Sequence, residues 1–139
     1  MLTKTITYQD FDGNDITEEF CFNLTKSELT KMQLSKDGGL AEWLERMIKS
    51  RNNKEIMNAF EQILLKSYGI RSDDRKRFIK SEEISREFQQ TNAYDILFMD
   101  LIENETKMAD FINAVMPKEV SEKVKERPVE EKIDNISVV

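Results

Sequence analysis

The stretch DRKRFIKSEEISREFQQTNAYDILFMDL, residues 74–101, decides the fold of the second half of the chain because it contains two helix starts in close succession. Ser81 precedes two glutamates, and its hydroxyl can accept one of the backbone N–H groups that have no partner at the start of a helix. Thr91 or Asn92 opens a second helix in the same way. Apolar residues follow both starts at helical spacing: Ile84, Phe88, Tyr94, Leu97, Phe98 and Leu101. The stretch therefore predicts two short consecutive helices.

Helical spacing of apolar residues predicts four more helices outside this stretch. The sequence Thr25-Lys26-Ser27-Glu28 is a capping box, in which the threonine hydroxyl and the glutamate carboxylate accept backbone N–H groups at the start of a helix. Gly69 is expected to provide a left-handed cap for the helix before it, and the polar, charged residues Ile70–Arg77 predict a loop. The four predicted helices lie at about 26–35, from 40 to 50–52, at 53–68 and at about 105–116.

The N-terminal residues predict a β-hairpin. Apolar and polar residues alternate loosely from Lys4 to Phe11 and again from Ile16 to Leu24, and Asp12-Gly13-Asn14 between them can adopt the positive φ of a tight reversal. One side of the second strand carries Phe20, Phe22 and Leu24. This side is expected to pack on the helices, because a two-stranded ribbon alone is marginal in water. The predicted class is α+β, mainly α, with an N-terminal β-hairpin followed by about six short helices.

The chain is expected to form a single domain over residues 1–117 and a flexible charged tail over residues 118–139. With 139 residues, of which 39% are hydrophobic, it can bury one core without a disulfide or a structural metal. Beyond Pro117 the last 22 residues hold five bases and six acids, and Pro128 interrupts any long helix there. This composition predicts a disordered C-terminal tail.

The charge and cysteine content exclude several classes of partner. The 27 acids against 21 bases leave a net charge of −6, which disfavours a general attraction to nucleic acid or anionic lipid. The longest uninterrupted apolar run, Ile96–Met99, is far shorter than the ~20 residues that a membrane helix needs, and we expect no secretory signal. Cys21 is the single cysteine, which fits a reducing compartment. We expect a soluble intracellular protein that binds neither nucleic acid nor membrane.

The residues that most enzymes use are scarce in this sequence. There is no histidine and one cysteine, so the commonest general base and the soft metal ligands are missing, and no glycine-rich phosphate-binding motif occurs. Asp95 with Glu103, or Asp73 with Asp74, could be proposed as a carboxylate pair. The second pair lies among arginines, where a solvated, salt-linked turn is favoured. The prediction is a protein that is not an enzyme and that uses no cofactor or metal.

Two charged segments are candidate interaction surfaces. A basic cluster surrounds Asp73 and Asp74 and leaves a local excess of three positive charges, which can dock an acidic partner surface or remain a solvated loop. Its members are Arg71, Arg75, Lys76, Arg77 and Lys80. The segment Ala93–Met116 has five acids against Lys107 alone, and opposing charges on one molecule permit head-to-tail association of copies into a homo-oligomer. Trp43 is read as core packing or as a binding hot spot.

The order of these elements resembles the tail assembly chaperones of long-tailed bacteriophages, of the siphophage type. The likeness rests on the Lys-Arg-Phe-Ile-Lys-Ser segment at 76–81, the Phe-x-x-Thr-x-Ala-Tyr element at 88–94 and the Leu-Phe-Met-x-Leu run at 97–101. It extends to the acidic and aromatic strand at 18–24 and to Gly-Gly-Leu-Ala-Glu at 38–42. The resemblance covers roughly the first 117 residues and depends on the order of elements that are individually unspecific.

The resemblance implies a non-catalytic phage or prophage protein that binds the tape measure protein, and with it the tail tube protein, during tail tube assembly. It also implies a location in the host bacterial cytoplasm, absence from the mature virion and a longer product made by frameshifting. The partner-binding residues proposed from the cluster, the tryptophan and the motif are Trp43, Arg75, Lys76, Arg77, Phe78, Ile79, Tyr94 and Phe98. Alternatively, the motif aromatics hold the two helices of residues 74–101 together. The alternatives for function are a phage-encoded regulator of a host protein and a structural virion subunit.

Overall fold

The computed structural model describes residues 1–32, Arg46, Lys49 and 53–117 of the chain. The elements in chain order are β1 (Leu2–Gln9), β2 (Asp15–Phe22), α1 (Lys26–Lys31), α2 (Asn53–Ser67), β3 (Tyr68–Arg71), β4 (Phe78–Ile79), α3 (Glu82–Gln89), α4 (Asn92–Ile102) and α5 (Glu105–Val115). Helices contain 53% of the described residues and strands 22%. The α+β class is confirmed, but the description "mainly α" understates the sheet, and five helices rather than about six are described. The helix predicted at 40 to 50–52, apart from Arg46 and Lys49, and the tail at 118–139 lie outside the described residues.

The first two strands form the predicted N-terminal hairpin. They pair antiparallel in a register that runs from Leu2 opposite Phe22 to Gln9 opposite Asp15. In the turn, the Asp10 carboxylate accepts the N–H groups of Asp12 and Asn14, each at 2.9 Å. Gly13 has a φ of +86°, as the reversal requires. These hydrogen bonds, the one from the Asn14 N–H foremost, lower the pKa of Asp10.

Two further strands extend the hairpin into a four-stranded antiparallel sheet of order β1-β2-β3-β4. Ile70 pairs with Ile79 and Arg71 pairs with Phe78, so the loop predicted from Ile70 to Arg77 is wrong at its start. On its other side β3 pairs with β2, where Cys21 lies opposite Gly69 and Phe22 opposite Tyr68. This second pairing depends on residues distant in the sequence, which a local pattern does not reveal. Only the residues between Arg71 and Phe78 form a turn.

Gly69 lies inside β3 and does not cap α2, so the predicted left-handed cap is wrong. Its φ is not positive, and α2 ends one residue earlier than expected, at Ser67. A Cβ atom at Gly69 would lie 2.6 Å from Cε2 of Phe78, so the phenylalanine ring lies directly against the glycine backbone. The Ser67 carbonyl accepts the N–H of Asn23 at 2.8 Å, which ties the end of the helix to the end of β2.

Side-chain caps open the helices at the places that the sequence predicts. The Ser81 hydroxyl accepts the N–H of Ile84 at 3.0 Å at the start of α3, and the Thr91 hydroxyl accepts the N–H of Tyr94 at 3.2 Å at the start of α4. Thr91, not Asn92, is therefore the N-cap of α4. These local bonds confirm the helix starts read from residues 74–101.

The apolar side of β2 packs on the helices, as predicted. Phe20 and Phe22 meet Phe88 of α3 with ring centroids 5.3 and 5.9 Å apart. Phe22 also meets Phe111 of α5 at 5.3 Å, and Phe111 meets Phe60 of α2 at 5.9 Å. The five rings form one continuous aromatic core between sheet and helices.

The chain divides into two compact units. The first consists of Met1–Leu24 and Met57–Val115 and contains the sheet, α3, α4, α5 and most of α2. The second, Thr25–Ile56 with Met116–Val139, contains α1. At the start of α1 the Thr25 hydroxyl accepts the Glu28 N–H at 3.1 Å, and the Glu28 carboxylate accepts the Thr25 N–H at 2.8 Å, which confirms the capping box. The single domain expected over 1–117 stays a prediction.

We expect Phe22→Ala to lower the free energy of unfolding by about 3–5 kcal/mol, because Phe22 is fully buried and its loss leaves a cavity among three other rings. Urea unfolding followed by circular dichroism measures this change. The matched control is Phe11→Ala in the hairpin turn, where the ring is 81% exposed and the change should stay within about 0.5 kcal/mol. Equal losses in the two variants would contradict the assignment of Phe22 to the core.

Candidate partner-binding surfaces

The turn between β3 and β4, residues 72–77, is held together by hydrogen bonds within itself, and we call it the basic turn. The N–H of Ser72 donates to the carbonyl of Arg77 at 2.9 Å, and the N–H of Arg77 donates back to the Ser72 hydroxyl at 3.0 Å. The same hydroxyl donates to Asp74 at 2.6 Å, and this carboxylate oxygen also accepts the N–H of Lys76 at 3.0 Å. Ser72 is buried. Its hydroxyl bonds to Asp74 and Arg77 therefore lie inside the turn, away from solvent.

Positive charge remains available on the surface of the basic turn. The hydrogen bond from the Ser72 hydroxyl lowers the pKa of Asp74 and engages this carboxylate inside the turn. The side chains of Arg75, Lys76 and Arg77 are exposed, and none of them forms a salt bridge with another described residue. These three are the predicted partner-binding bases, and they are consecutive exposed residues of one turn.

Arg75 adopts a backbone conformation that arginine rarely takes. Its φ is +65°, in the left-handed region, and its N–H donates to the carbonyl of Ser72 at 2.9 Å. A side chain in this region costs about 1 kcal/mol or more, and glycine would avoid that cost. Such strain tends to persist where a residue serves a function. Binding by Arg75 stays a prediction.

Phe78 and Ile79 form β4 and are half-buried. The Phe78 ring lies against Gly69, and the Lys80 ammonium lies 5.6 Å from the centre of that ring while donating to the carbonyl of Asn23 at 2.6 Å. This contact is a cation–π interaction. The two predicted motif residues therefore support the base of the basic turn, and binding by them stays a prediction.

A groove of about 290 Å³ is lined by residues of β2, β3 and the basic turn. Cys21 and Ile70 contribute apolar surface to it, and Ile70 is 48% exposed. Arg71 and Arg75 contribute bases; Arg71 lies 3.9 Å from Glu19, a long and weak ion pair at the surface. The acids Glu19 and Asp73 also line the groove, so its two bases are balanced by two acids.

Tyr94 and Phe98, the other two motif residues, lie in the aromatic core. The Tyr94 ring packs edge-on against Phe88 of α3 at 5.5 Å and stacks with Phe98 at 5.7 Å. Its hydroxyl donates to the Glu61 carboxylate of α2. Burial, followed by this hydrogen bond, raises the pKa of Tyr94. These contacts favour the alternative interpretation, in which the motif aromatics hold the helices together. Trp43 lies outside the described residues.

The sequence analysis missed a surface on α4, which we call the outer face of α4. Ile96 is 45% and Met99 43% exposed, on the side of the helix opposite Leu97 and Leu101. Exposed acids surround them: Asp95, Asp100 and Glu103. The uninterrupted apolar run at 96–99 is the sequence signal that indicates this surface. A helix with a single apolar face needs a polar residue at position 96 or 99.

The outer face of α4 carries net negative charge. Asp100 accepts a hydrogen bond from the Lys107 ammonium of α5 at 2.9 Å, and both side chains are about half exposed. Asp95 and Glu103 form no salt bridge within the described part of the chain. The result is an apolar centre of two flexible side chains with an acidic rim.

Within the described ranges, no group of three acidic, histidine or cysteine side chains lies close enough together to hold a metal ion. No helix in the same ranges combines the length and the apolar character that a membrane span requires.

A family model described as phage tail assembly chaperone matches residues 1–137. Neither the curated proteins nor the solved structures contain a significant match.

We expect Arg75→Gly to be more stable than Arg75→Ala by about 1 kcal/mol, because both variants lack the guanidinium and only glycine relieves the left-handed backbone. Urea unfolding of both variants measures the difference. The interpretation fails if the alanine variant is as stable as the glycine variant.

We expect the free energy of unfolding to fall as the pH rises above 10, the ordinary tyrosine pKa, because the unfolded chain releases phenolic protons that folded Tyr94 retains. Tyr94→Phe should show a shallower fall over the same range. Urea unfolding at several pH values between about 9 and 11 measures both slopes. Identical slopes in the two proteins would show that Tyr94 is not the group responsible.

Proposed function

Since the chain belongs to the phage tail assembly chaperone family, we propose that it binds the phage tape measure protein and keeps it soluble while tail tube subunits assemble around it. The role is one of non-covalent binding. We further propose that it acts in the cytoplasm of the host bacterium, contacts the tail tube protein during assembly and is absent from the finished virion. The family match favours this role over a regulator of a host protein and over a structural virion subunit.

The observation that carries the proposal is the outer face of α4. A long helical tape measure exposes apolar stripes before the tube encloses it, and such stripes aggregate unless another protein covers them. Ile96 and Met99 offer an exposed apolar stripe of their own, and methionine adapts its shape to irregular partners. We expect an amphipathic helix of the tape measure protein to place its apolar face against this stripe.

The acidic residues beside the stripe on α4 limit which segments of the tape measure protein can bind there. Asp95 and Glu103 border the stripe and lack a salt-bridge partner among the described residues. Opposite charges across an interface select the partner and its orientation more than they add affinity. The segment bound by the outer face of α4 therefore carries lysine or arginine beside its apolar residues.

We expect Ile96→Glu/Met99→Glu to weaken binding of the tape measure protein at least roughly tenfold, because two apolar contacts are lost and two charges are placed at the centre of the interface. The measurement is co-expression of this chain with the tape measure protein of the same genome. It records the soluble fraction of the tape measure protein and its co-elution with the chaperone in size-exclusion chromatography.

The matched control is Phe11→Glu/Met57→Glu. It also replaces two exposed apolar residues and adds two negative charges, but on other elements. This control should keep the tape measure protein as soluble as the unmodified chain does. The proposal is wrong if the tape measure protein is equally soluble with and without the unmodified chain. The assignment to α4 is wrong if the two variants behave alike.

A further inference from the structure

We propose that the outer edge of β1 binds an extended segment of the tape measure protein as an additional strand of the sheet. The outer edge of β1 consists of the backbone N–H and C=O groups of Thr3, Thr5 and Thr7. This inference rests on the proposed function, because the tape measure protein is the partner named there. It adds a second contact, which is made through backbone groups and is separate from the outer face of α4.

The register of the hairpin determines which backbone groups of β1 point away from β2. Directly opposite residues of an antiparallel pair alternate between pairs that exchange hydrogen bonds and pairs that do not. The Asp10 N–H donates to the Asn14 carbonyl at 2.9 Å, and this pair continues the register of the strands, so the even-numbered residues of β1 bond to β2. The N–H and C=O groups that point outward therefore belong to the odd-numbered residues, Thr3, Thr5, Thr7 and Gln9.

Two side-chain contacts agree with this assignment. The Gln9 carbonyl accepts the Asn92 amide of α4 at 2.8 Å, as a carbonyl that points away from β2 can. The hydroxyls of Thr7 and Thr17 lie 2.9 Å apart across the hairpin. Side chains approach most closely in pairs that do not exchange backbone hydrogen bonds, so Thr7 belongs to such a pair.

The outer edge of β1 has unused hydrogen-bonding capacity. Thr3, Thr5 and Thr7 are exposed, and each offers one N–H donor and one C=O acceptor in a regular row. None of the residues that the structure describes bonds to these backbone groups. A row of this kind is a template on which another extended chain can pair.

β1 lacks most of the features by which natural edge strands prevent such pairing. It is 8 residues long, contains no proline and pairs with β2 without a bulge. The opposite edge strand, β4, has 2 residues and is too short to hold an added strand. Of the two edges of the described sheet, β1 is therefore the one suited to strand addition.

Lys4 limits which segments fit the outer edge of β1. It is half-buried on the same side of the strand as buried Ile6, and it forms no salt bridge with another described residue. Side chains of neighbouring strands meet on each side of a sheet, so an added strand with an acid beside Lys4 and an apolar residue beside Ile6 is favoured. β1 itself contains no acid, so β1 of a second copy lacks the residue that Lys4 requires.

A tape measure protein that awaits assembly is the occupant that these features favour. A segment can add to the outer edge of β1 only if its own backbone groups are still unpaired, which holds for a chain that has not reached its final structure. The edge also leads to the outer face of α4, because Gln9 at the end of β1 is bonded to Asn92 at the start of the helix. Asn92 lies on the same side of α4 as Ile96 and Met99. One partner can therefore bind to the edge and to the helix.

The test combines the purified full chain with overlapping synthetic peptides, each longer than a strand, that cover the tape measure protein of the same genome. Thr5→Pro removes an N–H at the centre of the outer edge and keeps the bonds to β2, because proline is tolerated on an edge strand where its nitrogen faces away from the neighbouring strand. Thr5→Ala is the matched control, since it shortens the same side chain and keeps the N–H. Fluorescence anisotropy measures peptide binding, and circular dichroism shows whether both variants fold.

We expect at least one peptide to bind the unmodified chain, and Thr5→Pro to weaken that binding at least roughly tenfold, because a central backbone hydrogen bond is lost. Thr5→Ala should bind within about twofold of the unmodified chain.

Amide hydrogen exchange of the unmodified chain, resolved by residue, tests the same pairing even if Thr5→Pro does not fold. In the free chain the amides of Thr3, Thr5 and Thr7 should exchange rapidly, while those of Lys4 and Ile6, which bond to β2, exchange slowly. Binding of the peptide should slow exchange at the three threonines at least roughly tenfold.

Three results would each overturn the inference. The first is slow exchange at Thr3, Thr5 and Thr7 in the free chain, since the outer edge of β1 would then already be covered. The second is a bound peptide that leaves exchange at these three residues unchanged. The third is the absence of any binding peptide although the full-length tape measure protein co-elutes with the chain, in which case the proposed function stands without this contact. A tape measure protein that neither co-elutes nor gains solubility would instead contradict the proposed function itself, and this inference with it.

Discussion

The burial of Phe22 among rings from three other elements is the interaction on which the first unit depends. Its ring meets Tyr68 of β3, Phe88 of α3 and Phe111 of α5, with centroids 5.3 to 5.9 Å apart. A hairpin alone has too little apolar surface to persist in water, and these helices alone are too short to be stable. Phe22, at the end of β2, thus stabilises the packing of a hairpin on helices that would each be unstable separately.

The same packing positions both candidate surfaces. Tyr68 stacks on Phe88 of α3 at 4.2 Å and pairs with Phe22 of β2, so β3 is held both by the helix and by β2. The basic turn follows β3 and leads into β4 at one edge of the sheet. At the other edge, the Asn92 amide at the start of α4 donates to the carbonyl of Gln9, at the end of β1. With Tyr94 and Leu97 directed into the core, Ile96 and Met99 are left facing outward. The exposed stripe on α4 is therefore a consequence of how the helix is anchored.

Local chemistry was predictable from the sequence, and long-range pairing was not. The caps at Thr25, Ser81 and Thr91 depend on bonds to residues within the next turn of helix, so the sequence identifies them. The pairing of β3 with β2 joins residues far apart in the chain, and the polar segment that begins in β3 gave no sign of it. The apparent cap at Gly69 misled for the same reason, since the glycine accommodates the ring of Phe78 from a neighbouring strand. On the sites, the basic turn was visible as a charge cluster, whereas the strain at Arg75 and the exposure of Ile96 and Met99 required the backbone.

The direct junction between α2 and β3 has a consequence for the register of the sheet. The helix ends at Ser67 and the strand begins at Tyr68, with no connecting residue to act as a hinge. The bond from Asn23 to the Ser67 carbonyl clamps this junction to the sheet. Because no loop separates the two elements, insertion or deletion of one residue at this junction would shift the register of β3. Every β3 side chain would then turn to the opposite face of the sheet, with Tyr68 leaving the aromatic core.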